Sequence, residues 1–417
     1  MPILSIRLIN VGVRGAVLLS RFFFLFALAK MMPPSEVGKY GLLVAAVGYS
    51  IYFVGLDFYT YTTRQISGGE RSEWGLYIKS QATLSGGLYL FFFPLFIIIF
   101  SAQLLPWELA GWFFVILFLE HMCLEFIRFF IAAAEQLSAS IVLFFNQALW
   151  AVGVILIMIV DERFRSLGWV FSFWIGGSLV ALCYSFLKIK KMHLGGWARK
   201  VDVKWLWRGV KIALPLLLAT LAFRGIFTFD RYLASALLNL EFVAVYVLFI
   251  GVAGSLLAFL DAAVFSFAYP SLIESFKKQQ PASFKYNMRV MLISVVFFST
   301  VFIFFSLWAL PYLLVWIGKE IYLESYHVFY WVLSAIVINA LWMIFHYALY
   351  SQQLDRYIVS SHLAGFLVFL VFSGLLYLMY PQQSILIGLC LSQFIILIWK
   401  FLAYARKTPK AYLGFGR

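Results

Sequence analysis

The sequence predicts an all-α integral membrane protein with twelve transmembrane helices in two six-helix bundles. Three observations lead to this prediction. The chain is 64% hydrophobic and only 12% charged, whereas soluble domains contain about 25% charged residues. It contains twelve apolar segments, each about as long as the 20 residues that cross a bilayer as a helix. Its basic residues collect on one side of those segments, as they do in membrane proteins.

The twelve spans follow from length and hydropathy. They are predicted at residues 8–29, 40–62, 80–102, 108–133, 139–160, 168–187, 209–228, 242–266, 288–308, 327–350, 357–380 and 383–404. Residues 309–326 are expected to form a loop or an interfacial turn. An even number of spans places both termini on the same side of the membrane.

The charge distribution indicates which side that is. With the amino terminus in the cytoplasm, 19 of the 32 Lys and Arg lie in cytoplasmic segments, six in outer loops and seven within spans. This excess is what the positive-inside rule predicts. The net charge of +14 reflects this asymmetry, so we expect attraction to anionic membrane lipids and no binding of nucleic acid.

The longest basic loop divides the chain in two. Residues 188–211 hold eight basic residues and one acid. We predict an N-terminal bundle at 1–190, a cytoplasmic basic linker at 191–208 and a C-terminal bundle at 209–417. EVGKY before span 2 and EFVAVY before span 8 are weakly similar, which indicates either a repeat of six spans or chance.

Arginines recur in the first span. Arg7, Arg14 and Arg21 are seven residues apart and therefore lie near one helix face. A guanidinium at the bilayer centre costs about 2.5–3.5 kcal/mol on insertion scales. Arg14 and Arg21 therefore either line a wet cavity that takes an anionic cargo or extend to the headgroups; for Arg7 we expect the headgroups.

Span 4 holds the densest polar cluster. His121, Glu125, Arg128 and Glu135 are at offsets 0, 4, 7 and 14, on one predicted face. Glu125 and Arg128 can form an ion pair at i, i+3. The cluster is either structural or, with His121 and Glu120 as proton carriers, a relay.

Other spans carry single candidates. Asp57 is expected on one face of span 2 with Tyr61 and Arg64, either contacting a cation or a sugar or pairing with an arginine. Arg224 in span 7 either binds an anionic cargo or extends to the headgroups. Asp261 in span 8 is a further cavity candidate.

An aromatic and polar stripe follows span 10. Asn339, Trp342, His346 and Tyr350 are suited to stacking on and hydrogen bonding to sugars, or to packing in the protein interior.

At the level of whole segments, the chain resembles the O-antigen (Wzx-type) flippases of the multidrug/oligosaccharidyl-lipid/polysaccharide exporter superfamily. The resemblance is carried by Arg14 and Arg21, followed at residues 22–68 by FFFLFALAKMMPPSEVGKYGLLVAAVGYSIYFVGLDFYTYTTRQISG. Residues 223–256, FRGIFTFDRYLASALLNLEFVAVYVLFIGVAGSL, are similar to the start of the family's second half.

The resemblance implies the two-bundle fold of the multidrug exporters and a location in the bacterial inner membrane. It implies a flippase that moves an undecaprenyl-diphosphate-linked oligosaccharide to the periplasmic leaflet by alternating access, without a cofactor. The polysaccharide polymerase machinery is an expected partner. Arginine suits the cargo because its planar fork donates two hydrogen bonds to a phosphate.

The predicted site therefore has three parts. The cationic central cavity is expected to use Arg14, Arg21, Arg128 and Arg224. The coupling candidates are His121, Glu125, Asp57 and Asp261. The sugar-contact candidates are Asn339, Trp342 and His346.

The energy source has three candidates. The membrane potential, the later assembly of the sugar and proton antiport could each drive export, because an inside-negative potential pushes anions outward by about 2.3 kcal/mol per charge per 100 mV. We favour antiport through His121, Glu125 and Asp57.

Two other functions share features with this sequence. A multidrug exporter usually takes cationic cargo and favours a carboxylate in the first span, where this chain has arginines. A membrane polysaccharide polymerase or ligase usually has a large outer loop with catalytic residues. We find no phosphate loop, nucleophile elbow or metal-ligand spacing, so we predict a transporter rather than an enzyme, with no catalytic residue and no metal.

Overall fold

A computed structural model describes residues 3–413 of the chain. Within that range sixteen α-helices and no strand are present. They are α1 (Ile3–Met31), α2 (Pro34–Gly55), α3 (Tyr59–Gly68), α4 (Trp74–Ser101), α5 (Ala110–Ala132), α6 (Gln136–Phe144), α7 (Trp150–Val160), α8 (Leu167–Lys191), α9 (Val203–Leu237), α10 (Leu240–Leu260), α11 (Ser266–Lys277), α12 (Pro281–Ile317), α13 (Glu320–Glu324), α14 (Tyr326–Ser351), α15 (Asp355–Tyr377) and α16 (Pro381–Lys407).

The membrane-protein class is confirmed. Eleven helical segments between residues 12 and 407 are long and apolar enough to cross a membrane. Two of them, Gln136–Val160 and Leu240–Lys277, each join two helices through a π-helical turn. The remaining predicted span coincides with α5, which is 23 residues long and contains three charged residues, Glu120, Glu125 and Arg128.

The chain forms two compact units, Met1–Leu221 and Ala222–Arg417. The division falls within α9, and the linker predicted at 191–208 also ends within that helix, 13 residues before the division. Aromatic side chains fill the interior of each unit. In the first unit the Trp150 and Trp174 rings stack at 5.5 Å; in the second, Trp342 and Tyr246 are fully buried.

The second predicted span is interrupted. Leu56 and Asp57 have φ angles of 53° and 49°, in the left-handed region that a continuing α-helix does not use. The chain therefore ends α2 at Gly55 and restarts as α3 at Tyr59. The prediction that Asp57, Tyr61 and Arg64 share one helical face is wrong for this reason.

The stretch expected to be a loop at 309–326 is mostly helical. Helix α12 continues past Pro311 to Ile317 and ends where Gly318 adopts a φ of 75°. A positive φ favours glycine. The short helix α13 follows, at the position where an interfacial turn was the alternative.

Part of the basic middle loop packs against the start of α4. The Gly75 amide donates to the Gly195 carbonyl at 2.9 Å, and Arg199 forms an ion pair with Glu73 at 2.8 Å. A hydrogen bond from Tyr77 and the pairing with Arg199 lower the pKa of the exposed Glu73. These contacts hold the start of α4 in place.

Candidate functional site

A cavity of about 290 Å³ lies within the first unit, between α3, α4 and α5. Its walls are mostly apolar, with polar groups contributed by all three helices. Ligand sites are typically concave and apolar with a few polar groups, at 300–1,000 Å³. This cavity is therefore of a size for one small polar group. The polar lining is Tyr59, Thr62, Thr63, Gln81, Ser85, Tyr89, His121, Glu125 and Arg128.

Helix α5 supplies the ionisable side chains. His121, Glu125 and Arg128 project from successive turns of one face, as their spacing predicted, and all three line the cavity. Glu135 does not join them, because α5 ends at Ala132 and the chain turns through Ala134. Glu135 instead pairs with Lys188 at 2.8 Å.

Glu125 is the centre of the cluster. One carboxylate oxygen accepts a hydrogen bond from the Arg128 guanidinium at 2.6 Å and lies 3.6 Å from the His121 imidazole. The other accepts from the Gln81 amide of α4. The Glu125 and Arg128 side chains are only 17% and 15% exposed. At that degree of burial an unpaired charge is costly, so the pair makes this placement tolerable.

His121 is fully buried between three helices. Its Nδ1 is 2.5 Å from the Tyr89 hydroxyl of α4. Its Nε2 faces Gly55 at the end of α2, where an added Cβ would lie 2.8 Å away. Glycine at position 55 therefore leaves the space that the imidazole occupies. Among described residues Nε2 makes no hydrogen bond, and it lies 3.6 Å from the Glu125 carboxylate.

The α2–α3 break completes the cavity. Because the helix restarts at Tyr59, that ring lies beneath the Arg128 guanidinium, at 3.5 Å from the guanidinium carbon to the ring centroid. A cation–π contact of this kind contributes about 0.5–2 kcal/mol. Asp57 itself is buried within the break and is not among the cavity-lining residues.

A second polar network lies on the opposite side of α5. Glu120 accepts hydrogen bonds from Trp174 and from Asn146, which lies in the π-helical turn at Phe145–Leu149. The Arg21 guanidinium donates to Gln147 of the same turn at 3.2 Å and interacts electrostatically with Glu120. Helix α5 thus carries one hydrogen-bonded carboxylate on each of two faces, Glu125 on one and Glu120 on the other.

The first helix presents two of its arginines at the surface of its unit. Arg14 and Arg21 are both exposed. Neither forms an ion pair at hydrogen-bond distance with a carboxylate among the side chains that the structure describes. The side chain of Arg7 lies outside the described set.

In the second unit the candidates Arg224 and Asp261 lie on different elements. Arg224 is exposed on α9, whereas Asp230 of the same helix is fully buried and accepts a hydrogen bond from Tyr246 at 2.7 Å. Asp261 is exposed in the π-helical turn Asp261–Phe265. These three side chains are not brought together.

The predicted sugar-contact stripe is interior. Asn339 and Trp342 are 2% and 1% exposed, and the Trp342 indole donates to Gln393 at 3.0 Å. This placement favours packing, the alternative given above. Beside the stripe lies Lys400, which sequence reasoning placed in a span without assigning it a role; it contacts His346 and His362.

Gln81, Tyr59 and Tyr89 were also missed. They lie on α3 and α4, and no periodicity in the sequence predicts that residues of these helices lie beside α5. Only the packing of α3 and α4 against α5 brings them to the cavity.

Comparison with known proteins places this architecture among transporters of one fold. No family model matches the sequence, and no curated protein matches it. Solved structures do match along nearly the whole chain.

An inward-facing multidrug resistance MATE family transporter of the MOP superfamily aligns with a TM-score of 0.66 and 12% identity, over 95% of this chain and 99% of that chain. An outward-facing multidrug resistance MATE family transporter of the MOP superfamily aligns with a TM-score of 0.63 and 13% identity, over 94% of this chain and 92% of that chain. A MATE protein in complex with MaD3S aligns with a TM-score of 0.62 and 11% identity, over 94% of each chain. The protein therefore has the fold of the MATE transporters of the MOP superfamily.

Proposed function

We propose that this protein is an exporter that moves an anionic lipid-linked oligosaccharide across the membrane, with a polyprenyl diphosphate as the charged group. The proposal depends on one observation above all. In the first unit Arg14 and Arg21 of α1 are exposed, whereas both carboxylates of α5 are already engaged by protein donors. The surface offered to a cargo is therefore cationic.

The diphosphate fits this surface chemically. Each guanidinium can donate two parallel hydrogen bonds to phosphate oxygens, which makes the contact directional as well as electrostatic. Arg14 and Arg21 are two helical turns apart on α1, about 10 Å along its axis. They are therefore suited to successive contacts along an elongated cargo.

The α5 cavity is proposed as a subsite and coupling element. Glu125 binds Arg128 while it is ionised, and His121 lies 3.6 Å from the same oxygen. Protonation of Glu125 would weaken its hold on Arg128 and free the guanidinium for a phosphate. Proton movement and anion binding would then be linked at one ion pair.

A cationic multidrug exporter is the second candidate, because the named structural relatives include multidrug resistance transporters. The two functions make opposite demands on charge. A cationic cargo requires a free carboxylate where it binds, and the α5 carboxylates are engaged.

The test is transport by the full-length protein in proteoliposomes, with a polyprenyl-diphosphate oligosaccharide in one series and a cationic dye in the other. We expect flux of the diphosphate lipid only. Arg21→Ala should reduce that flux about tenfold or more, since a charge-assisted hydrogen bond is worth about 1.5–3 kcal/mol. Arg21→Lys should restore part of it.

The matched control is Arg163→Ala, which removes an arginine that is 89% exposed in a loop and should leave flux unchanged. Flux of the dye without flux of the lipid would overturn the proposal in favour of multidrug export. Equal lipid flux in wild type and Arg21→Ala would overturn the role of the arginines.

A further inference from the structure

The second unit buries a lysine among two histidines. Lys400 of α16 is 0% exposed. Its Nζ lies 2.9 Å from Nε2 of His362 on α15 and 3.2 Å from Nδ1 of His346 on α14. The two imidazoles are parallel, with an interplanar angle of 6° and ring centroids 6.0 Å apart. Three helices thus converge on three basic nitrogens.

The aromatic surroundings hold this cluster in place. Lys400 Nζ is 3.5 Å from the Trp342 ring centroid, and the Trp342 indole is itself fixed by Gln393. Phe223 stacks on His362 at 5.0 Å. A lysine over a tryptophan face is stabilised when it is charged, so the site is built to accept one cation.

Within residues 3–413, none of the ion pairs between described side chains gives Lys400 a carboxylate partner. Buried lysines are otherwise paired or change their protonation state. Here the acceptors that can satisfy the ammonium are the two neutral imidazoles, each through one ring nitrogen.

The number of protons that the cluster can hold follows from its geometry. One charged lysine can donate to one ring nitrogen of each neutral imidazole. A second charge would place two cations about 3 Å apart in a medium of low dielectric constant, where repulsion is strong. The three groups therefore titrate as one coupled system, and the proton belongs to the cluster rather than to one residue.

We propose that Lys400, His346 and His362 form a proton-binding site of the second unit that loads and releases a single proton during transport. The proposal goes beyond the cargo assignment and holds for any cargo. It adds a coupling site to the one on α5, from residues of three different helices.

The neighbouring titratable groups supply a route to the surface. Helix α14 adds Tyr347 and Tyr350. Their ring centroids lie 5.4 and 6.5 Å from that of His346. The Tyr347 hydroxyl hydrogen-bonds to Asp261, which is exposed.

The remaining packed elements add little charge. On α16 the nearest further titratable group is Tyr404, one turn beyond Lys400 and packed on Phe345. Helix α9 contributes Phe223, which stacks on His362, and α15 contributes His362 itself. Asp261 is therefore the carboxylate that we assign to proton exchange with this site.

The experiment uses the five histidines of the chain. Full-length protein labelled with ¹⁵N-histidine in lipid nanodiscs is titrated by NMR over about pH 5–9, the range in which imidazoles change charge. Signals of His346 and His362 are assigned by elimination with His121→Asn, His193→Asn and His327→Asn. We expect both imidazoles to respond in one shared step. Independent titration of the two imidazoles in the unmodified protein would overturn the proposal.

Two variants sharpen the result. Lys400→Met should abolish the shared step, whereas Lys278→Met, which removes an exposed lysine paired with Glu274, should preserve it. An unchanged titration in Lys400→Met would overturn the proposal. A shift of both signals with chloride at constant pH would also overturn it, because the cluster would then be an anion site.

A transport measurement tests the link to coupling. In proteoliposomes Lys400→Met should lose the dependence of flux on the pH gradient, and Lys278→Met should keep it. Retained dependence in Lys400→Met would contradict the coupling role. Because the NMR titration uses no cargo, a wrong cargo assignment leaves that result intact.

Discussion

Removing the Arg128 side chain should destabilise the first unit strongly, because it leaves the Glu125 carboxylate buried without its ion-pair partner. The guanidinium pairs with Glu125 at 2.6 Å, and both side chains are less than a fifth exposed. Breaking a buried pair by removing one partner costs about 3–5 kcal/mol. Because some solvent reaches both groups, we expect Arg128→Ala to cost about 3 kcal/mol, or about 150-fold in the unfolding equilibrium.

The measurement is reversible unfolding in mixed detergent micelles, followed by circular dichroism. Lys278→Ala is the matched control, because it breaks a helical ion pair with the same 2.6 Å distance whose partners are about 60% exposed. Exposed pairs contribute about 0–1 kcal/mol. Equal effects of the two substitutions would refute the view that the α5 pair is buried and balanced.

The double variant Glu125→Gln/Arg128→Met separates stability from transport. With both charges gone, no buried charge is left unpaired, so stability should return to within about 1–2 kcal/mol of the wild-type protein. Cargo flux should not return, because the guanidinium that binds phosphate is absent. Recovery of flux together with stability would show that the pair is only structural.

Three further outcomes are expected. Gly55→Ala should displace the imidazole that it faces and reduce flux, because its Cβ would lie 2.8 Å from that ring; Gly48→Ala, with open space around it, should be neutral in the same assay. At pH values above the pKa of Glu73 in the unfolded chain, the Glu73–Arg199 contact should hold the middle loop against α4. The contact should be lost as the pH falls through the lowered pKa of Glu73 in the folded protein, because the ionised carboxylate is the form that is stabilised. Hydrogen exchange in the loop should therefore speed up at low pH in the wild-type protein and be independent of this change in Glu73→Gln. Cysteine at position 199 should be labelled only from the cytoplasm and at position 163 only from outside, and labelling of position 199 in intact cells would contradict the proposed topology.

The fold class was predictable because lipid imposes simple rules. Span length and apolar composition predict the helices, and the positive-inside rule predicts their orientation in the membrane without tertiary information. The cluster on α5 was predictable for a related reason. His121, Glu125 and Arg128 lie within seven residues of one helix, so helical periodicity alone places them together.

The remaining features depend on packing between helices. The break after Gly55 arises where α2 meets the His121 imidazole, and no local glycine–proline signal marks Leu56 or Asp57 as left-handed. Lys400 and His362 are 38 residues apart in sequence and on different helices. Their meeting depends on the contact between α15 and α16, which hydropathy does not specify.

The most direct test of the central claim is binding of a short-chain polyprenyl diphosphate to the purified full-length protein in nanodiscs. The account predicts that the diphosphate binds, that a neutral polyprenol of the same length does not compete, and that Arg21→Ala weakens binding about tenfold or more. Arg163→Ala should bind as the wild-type protein does. Equal binding of the neutral and charged lipids, or unchanged binding in Arg21→Ala, would contradict the claim that exposed arginines select an anionic cargo.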